Sequence, residues 1–337
     1  MFHASFQIAR VIRFAVGALV LSACGCSSST APAPPSPPTH PAGDLVSTTY
    51  LAGRPFGAAI APNGEALLTV FDSSDVATAK VTPAAFGPFI GVSSGPIDVA
   101  ITPDGTRAFV TNNYALTVSV IDMRSQKQTS TLTAAASPTR VKVSPDGSRV
   151  YVTTAGDNIV GSELYVYDAR SLAPITHVRV GGSANGIAID SAAGRLYVSS
   201  LVTDSIYEVS MATNTVLRSF HGGPQPQEVI VTPDHNQLWV ANEADSGIVI
   251  IDLASGSKIA TVPNTPRAFG MAITPDGAQV YVTMFAVGTF SIVDVASRTV
   301  LKTTSGGFNS APARIAFTAD GSRAVIADLG MGMLVVQ

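Results

Sequence analysis

From about residue 45 onward the chain alternates short apolar runs with polar turns. In many of the runs every second side chain is apolar or aromatic, as in RAFVTN (107–112), RVYVTT (149–154), RLYVSS (195–200), QLWVAN (237–242) and QVYVTM (279–284). Strict alternation over about six residues is typical of β-strands packed against neighbouring sheets. The 3.6-residue period of amphipathic helices is missing from this part of the sequence, so an all-β fold is expected.

One turn recurs along the whole of this region. It reads AIAPNG (59–64), AITPDG (100–105), KVSPDG (142–147), IVTPDH (230–235), AITPDG (272–277) and AFTADG (316–321), with a degenerate AIDSAAG ending at Gly194. The closing positions 64, 105, 147, 194, 235, 277 and 321 lie 41, 42, 47, 41, 42 and 44 residues apart. A period in the forties is a signature of propeller blades, and proline, aspartate and glycine are the residues that close such turns.

Each repeat continues with a third and a shorter fourth apolar run, for example TVSVID and TSTLTA after RAFVTN. A four-stranded meander cannot bury both its faces alone, and radial stacking lets neighbouring sheets bury them. The seventh repeat lacks a fourth run, and LVSTTYLAG (45–53) is suited to supply it beside residues 334–336. The prediction is a seven-bladed β-propeller of four-stranded antiparallel blades, its ring closed by strand 45–53.

The PDG turn followed by VYVT and VSVID resembles the repeats of the YVTN-type β-propeller family from about residue 45 to the end. Members of that family are exported bacterial proteins with diverse functions. The resemblance therefore implies an architecture and an extracytoplasmic location, and it implies no particular activity.

The N-terminus has the form of an export signal. Arg10 and Arg13 precede the apolar run 14–21, which is too short for a membrane span. Leu21-Ser22-Ala23-Cys24 then resembles the bacterial lipobox, in which the cysteine is lipidated. The expected organisation is a lipoprotein signal peptide (1–23), a Pro/Ser-rich tether (24–43) and the propeller (44–337). The protein would be lipid-anchored in the cell envelope, periplasmic or surface-facing; the alternative is an ordinary signal peptide cut near Ala23.

Composition narrows the possible partners and cofactors. The chain has 13% charged residues and a net charge of −3, without the basic excess of a nucleic-acid-binding protein. Its two cysteines, Cys24 and Cys26, both precede the repeats, so the propeller holds neither a disulfide nor a thiolate metal site. We predict no cofactor, no metal and no nucleic acid, and a monomer whose partners are the membrane, through its lipid, and an envelope protein or small ligand.

Polar residues are expected at the mouth of the central channel, where the loops into the first strands gather. The second residue after the loop proline, or after its equivalent, defines one column around the ring: Gly57, Asp98, Arg140, Gly186, Glu228, Gly270 and Arg314. Arg140, Arg314 and the nearby Arg267 could form a clamp for an anion or carboxylate, opposed by Asp98 and Glu228. The alternative is that these residues form structural ion pairs.

No catalytic set emerges from the sequence. The repeated turn aspartates are a blade apart and are explained by turn formation, and Gly91-Val92-Ser93-Ser94-Gly95 lacks the strand-to-helix context of a nucleophile elbow. A binding or protein-interaction scaffold is therefore the favoured function. The alternative is an enzyme with its site at the channel mouth, since similar propellers include lactonases, lyases and quinoprotein-type dehydrogenases.

Overall fold

The computed structural model describes residues 43–156, 161–245 and 247–337, and within these ranges the regular secondary structure is entirely β. Cys24, the signal peptide and the tether up to residue 42 lie outside the described residues. None of the described residues forms a helix long and apolar enough to cross a membrane. The strands are β1 (Leu45–Thr49), β2 (Pro55–Ile60), β3 (Glu65–Val70), β4 (Asp75–Val81), β5 (Ala84–Gly91), β6 (Pro96–Ile101), β7 (Arg107–Asn112), β8 (Thr117–Asp122), β9 (Lys127–Thr133), β10 (Ser137–Val143), β11 (Arg149–Ala155), β12 (Glu163–Asp168), β13 (Pro174–Arg179), β14 (Ala184–Asp190), β15 (Arg195–Ser200), β16 (Ser205–Ser210), β17 (Val216–His221), β18 (Pro226–Val231), β19 (Gln237–Asn242), β20 (Ile248–Asp252), β21 (Ser257–Val262), β22 (Met271–Ile273), β23 (Gln279–Met284), β24 (Thr289–Asp294), β25 (Thr299–Ser305), β26 (Pro312–Phe317), β27 (Ala324–Asp328) and β28 (Gly332–Val336).

The strands form seven antiparallel sheets of four, as predicted. Blades 1 to 6 are consecutive meanders that begin with β2, β6, β10, β14, β18 and β22, and blade 7 has the order β26, β27, β28, β1. The first strand of every blade contacts the first strands of both neighbouring blades, so these seven strands line one central channel.

Blade 7 closes the ring by joining the two ends of the propeller. Strand β1 pairs antiparallel with β28, with Leu45 opposite Val336 and Thr48 opposite Leu334. Asp44 and Gln337 extend the ladder by exchanging two backbone hydrogen bonds of 2.7 and 2.9 Å. The predicted closing strand is confirmed, but it ends at Thr49, because residues 50–54 must carry the chain from the outer edge of blade 7 to the inner edge of blade 1.

Burial follows position in the blade. The second strands are almost wholly buried because neighbouring blades cover both of their faces, and the outermost strands alternate between exposed and half-buried positions, as in β25. The apolar side chains collect in clusters between adjacent blades, so the core is a ring of blade interfaces.

The repeated turns connect the first and second strands at the end of the channel opposite the mouth. In the turn of blade 3, Asp146 Oδ1 accepts hydrogen bonds from the Ser144 hydroxyl (2.5 Å) and the Ser148 amide (3.0 Å). Gly147 adopts a φ of 70°, which a glycine tolerates without strain. The turn aspartates therefore organise local backbone, as the sequence predicts.

Candidate functional site in the central channel

A β-bulge near the start of the first strand sets the site geometry in most blades. The register shifts between Pro96 and Asp98 in β6, between Pro138 and Arg140 in β10, and likewise in β2, β14, β18 and β26. A bulge leaves one backbone N–H without its ladder partner and re-aims the local side chains. The column read from the sequence is therefore the set of residues that the bulges place at the channel.

The threonine of the repeated VYVT run completes this bulge. Thr111 Oγ1 accepts a hydrogen bond from the Asp98 amide (3.1 Å), and Thr69 Oγ1 accepts one from the Gly57 amide (2.7 Å). Thr153 instead donates to the Asn185 carbonyl of the next blade at 2.7 Å. These buried hydroxyls form hydrogen bonds with backbone groups that have no partner in the strand ladder. This explains why threonine recurs at this position.

The column consists of four charged residues and three glycines. Charged side chains stand on blades 2, 3, 5 and 7, and glycines stand on blades 1, 4 and 6. A Cβ at Gly57 would lie 2.8 Å from the Cα of Asp98, and one at Gly186 would lie 2.8 Å from the Gln227 carbonyl oxygen. Glycine is needed there because adjacent inner strands approach too closely for a side chain.

The structure brings four of the five predicted site residues together at the channel, and all four are buried: Asp98, Arg140, Glu228 and Arg314. Arg314 Nη1 lies 3.1 Å from Glu228 Oε2, and Arg140 Nε lies 3.7 Å from the same oxygen. These residues belong to blades 7, 5 and 3, which are not adjacent, so their ion pairs cross the channel. Asp98 reaches blade 3, where its Oδ2 accepts a 3.0 Å hydrogen bond from the Val141 amide.

Lys142 adds a third positive charge that the sequence analysis did not single out. It lies two residues beyond Arg140 on β10, is exposed, and acts electrostatically on both Asp98 and Glu228. The signal was available in the sequence, since the corresponding positions of the other blades are all small or aliphatic: Ala59, Ala100, Ala188, Ile230, Ala272 and Ala316. With all groups ionised, three positive and two negative charges leave the channel cluster at +1.

Burial has the largest effect on the pKa values of Asp98 and Glu228. It raises the pKa of the Asp98 carboxyl above its ordinary value, against the opposing effects of Arg140, Lys142 and the Val141 amide. Burial also raises the pKa of Glu228, against Lys142 and Arg140 and with a contribution from the negative charge of Asp98. Both carboxyls thus favour the proton more than an exposed acid does.

Several guanidinium donors remain without a partner. Arg140 Nε, Arg314 Nε and Arg314 Nη2 are buried and make no hydrogen bond with the described residues. Arg314 also stacks on aromatic rings, with its Cζ 4.5 Å from the centre of Phe269 and 5.8 Å from that of Phe56. Buried polar groups nearly always make hydrogen bonds, so these three donors are exceptions, and Arg140 Nε has only its ion pair with Glu228.

The residue preceding the column in each blade forms a second ring, which we term the mouth ring. Its members are Phe56, Ile97, Thr139, Asn185, Gln227, Phe269 and Ala313, and all are buried. The apolar members stand on the contiguous blades 6, 7, 1 and 2 and pack into one cluster with Phe71, Phe285 and Leu329. The polar members stand on blades 3, 4 and 5, so the mouth has an apolar half and a polar half.

Arg267, the fifth predicted residue, lies on the rim. Its side chain is 56% exposed, and its Nη2 lies 3.6 Å from Glu243 Oε1. Glu243 accepts a 2.5 Å hydrogen bond from Gln227 of the mouth ring, and Gln227 in turn accepts one from Asn185. A polar chain therefore links Arg267 to the polar half of the mouth, but its guanidinium is not part of the channel cluster.

Histidines and acids elsewhere do not converge. Within residues 43–156, 161–245 and 247–337, no three or more His, Cys, Asp or Glu side chains are grouped so as to hold a metal ion. His221 ends β17, His177 lies 3.8 Å from Glu163 on blade 3, and His235 pairs with Asp190 in a turn. Ser93 lies in the loop between β5 and β6, with no helix following it.

Comparison with known proteins agrees with this architecture. The YNCE-like beta-propeller family matches residues 45–254, which is more than half of the chain. The chain belongs to the YNCE-like β-propeller family. The matched range runs from β1 to β20 of this YNCE-like propeller, which comprises the closing strand, blades 1 to 4 and three strands of blade 5, and it includes Asp98, Arg140 and Glu228 but not Arg314.

Solved structures support the fold of this YNCE-like propeller and nothing finer. A chain described as Kuenenia stuttgartiensis hydrazine synthase is similar with a TM-score of 0.76 and 19% sequence identity, over 87% of this chain and 97% of that one. At this identity the likeness concerns the fold alone. No curated protein matches the sequence. The channel cluster must therefore be interpreted from its own geometry.

Proposed function

We propose that this protein is a binding module of the bacterial cell envelope that holds an anionic ligand in its central channel. The observation that carries the proposal is the set of three buried guanidinium N–H groups, on Arg140 and Arg314, that have no hydrogen-bond partner among the described residues. An anion that reached these donors would form charge-assisted hydrogen bonds that the described residues leave unmade.

The charge of the cluster favours the same kind of ligand. With all of these groups ionised, Arg140, Lys142 and Arg314 outweigh Asp98 and Glu228 by one positive charge. A cation would meet two buried arginines, whereas an anion meets unpaired donors. The site is thus better suited to binding an anion than to binding a cation.

Isothermal titration calorimetry of the purified full chain tests this proposal with acetate, benzoate, phosphate and sulfate as probes. At least one probe should bind the wild-type protein, and Arg140→Gln should weaken that binding by about tenfold or more, since a hydrogen bond to a charged group contributes about 1.5 to 3 kcal/mol. Arg124→Gln is the matched control, because Arg124 is exposed in a turn of blade 2. Failure of every probe to bind the wild-type protein would refute the proposal.

We propose further that a lipid on Cys24 tethers the protein, as a monomer, to the envelope through the Pro/Ser-rich segment that ends at residue 43. The support is the match of Leu21-Ser22-Ala23-Cys24 to a lipobox. Metabolic labelling with a palmitate analogue, followed by membrane fractionation, tests this: the wild-type protein should be labelled and sediment with membranes. Cys24→Ser should abolish both, and Cys26→Ser should change neither. Labelling that survives Cys24→Ser would contradict the assignment.

A further inference from the structure

The guanidinium of Arg314 is paired on one side only. Its Nη1 donates to Glu228 Oε2 and to the Phe269 carbonyl, both at 3.1 Å. Its Nε and Nη2 are buried without a partner among the described residues. Nε–H and the outer N–H of Nη2 lie along the same edge of the planar group and point in parallel. This edge is the fork that donates one hydrogen bond to each oxygen of a carboxylate.

The same guanidinium lies over two aromatic rings. Its Cζ lies 4.5 Å from the centre of the Phe269 ring and 5.8 Å from that of Phe56, and the two rings meet edge to face at 5.7 Å. Cation–π attraction to these rings helps to hold the guanidinium in place. Phe56 and Phe269 belong to the apolar half of the mouth ring, so the guanidinium lies next to that half.

Charge selects among the anions that could bind this edge. With Asp98 and Glu228 ionised, the cluster carries an excess of one positive charge, so a singly charged ligand neutralises it, whereas a doubly charged phosphate would place surplus negative charge beside these two acids. Surplus buried charge is expensive. The balance therefore favours a monoanion, and the planar fork favours a carboxylate.

We propose that the channel binds a monocarboxylate with an apolar body, its two oxygens on the Nε and Nη2 edge of Arg314 and its body against Phe56 and Phe269. This inference rests on the proposed anion-binding function and specifies the ligand of the same site. In this inference Arg314 binds the carboxylate, and the apolar half of the mouth ring gives the site its preference for an apolar substituent.

The experiment compares benzoate, acetate, phosphate and the neutral benzamide by calorimetry on the purified full chain. Benzoate should bind about tenfold or more tightly than acetate, since burying a side-chain-sized apolar group contributes about 1.5 to 3 kcal/mol. Benzamide should not bind. Arg314→Lys keeps the charge but removes the fork, so it should weaken benzoate at least about tenfold, while Arg124→Lys should leave it unchanged.

Three outcomes would overturn this inference while the proposed function stands. The Arg314→Lys variant could bind benzoate as tightly as the wild type does, acetate could bind as tightly as benzoate, or phosphate could bind more tightly than benzoate. A wild-type protein that binds none of the anions refutes the proposed function itself. Phe269→Leu provides a second test should Arg314→Lys fail to fold. It keeps the guanidinium and should reduce the preference for benzoate over acetate at least about threefold; an unchanged preference counts against the inference.

Discussion

The carboxylates of the central channel and those of the first-to-second-strand turns are the same chemical group in opposite surroundings. Asp98 and Glu228 are buried, and burial raises their pKa values. Asp146 and Asp320 are exposed in turns, where hydrogen bonds from the Ser144 and Thr318 hydroxyls, respectively, and from the amides that follow each turn, lower the pKa of each to about 2. Desolvation prevails in the channel and hydrogen bonding prevails in the turns.

This difference distinguishes the residues that recur because every blade needs them from the residues that are candidates for binding. The turn aspartates are numerous because every blade needs the same turn, and each is satisfied by its own neighbours within a few residues. The channel acids occur once each and contact other blades: Asp98 accepts from the Val141 amide, and Glu228 pairs with two arginines whose donors do not all make hydrogen bonds. In a repeat protein, the positions that depart from the repeat are therefore the ones to examine for binding.

The largest effect is expected from Glu228→Leu. The change leaves Arg140 and Arg314 buried without the carboxylate that they share, and removing one member of a buried ion pair costs about 3 to 5 kcal/mol. Urea unfolding should show a free energy of unfolding lower by that amount. Replacing all three residues with apolar ones should restore most of it, because no unpaired charge then remains. A loss below about 1 kcal/mol in the single variant would mean that the cluster is well solvated.

A smaller loss is expected from Asp98→Ala. The Val141 amide, on the open inner edge of blade 3, loses its hydrogen-bond acceptor, which should lower the free energy of unfolding by about 1 to 3 kcal/mol. Because the folded-state pKa of Asp98 is raised, the folded protein holds this proton more tightly than the unfolded chain does. Its contribution is therefore greatest below about pH 4 and declines as pH rises through the folded pKa. Urea unfolding from pH 4 to 8 should show the wild-type advantage shrinking; an advantage that grows would contradict the assigned shift.

Asp146→Ala should lower the free energy of unfolding by about 1 kcal/mol, because the turn loses hydrogen bonds that are exposed to water. Its pH dependence has the opposite sign. The folded pKa of about 2 lies below the ordinary value, so the stabilisation is complete above about pH 4 and is lost as pH falls towards 2. Asn63→Ala in blade 1 is the control, since the Asn63 amide caps the equivalent turn without titrating. Parallel pH profiles for the two variants would argue against the hydrogen-bond origin.

Much of the architecture could be predicted because each blade repeats its local rules. The spacing of the turns gave the number of blades, and the ladder between Leu45 and Val336 forms as expected. The closing strand was predicted to be too long, because residues such as Leu51 continue an apolar pattern while the backbone has already turned towards blade 1. An apolar pattern records burial, and Leu51 is buried without belonging to a strand.

The site was predictable only in part. The column that follows the loop proline located Asp98, Arg140, Glu228 and Arg314, because the same bulge recurs and presents the same position. Arg267 belongs to a loop in which it takes a φ of 55°, and sequence spacing cannot show that its side chain turns to the rim. Nor could it show which donors of Arg314 remain unpaired, since that depends on where distant blades place their acceptors.

Asp190 is a third kind of carboxylate, buried like the channel acids but located in a turn, and changing its partner should have the smallest effect on stability. Asp190, in the degenerate turn of blade 4, is buried; its Oδ1 lies 2.9 Å from His235 Nδ1 and accepts a hydrogen bond from the Ala193 amide, while its Oδ2 has no partner among the described residues. His235 stands where most blades have glycine and takes a φ of 58°. The two departures from the repeat thus meet across adjacent blades.

His235→Gly should destabilise the fold by less than about 1 kcal/mol, because two effects oppose each other. Losing the partner of a buried acid costs about 1 to 3 kcal/mol, and relieving a left-handed non-glycine residue returns about 1 to 2 kcal/mol. Gly64→His isolates the second effect, since a Cβ at Gly64 meets nothing within 4 Å. A double-mutant cycle of His235→Gly with Asp190→Asn, measured by urea unfolding, isolates the first. A coupling energy near zero would mean that His235 contributes only strain, and that Asp190 is held by its own turn, like the turn acids, rather than by a neighbouring blade.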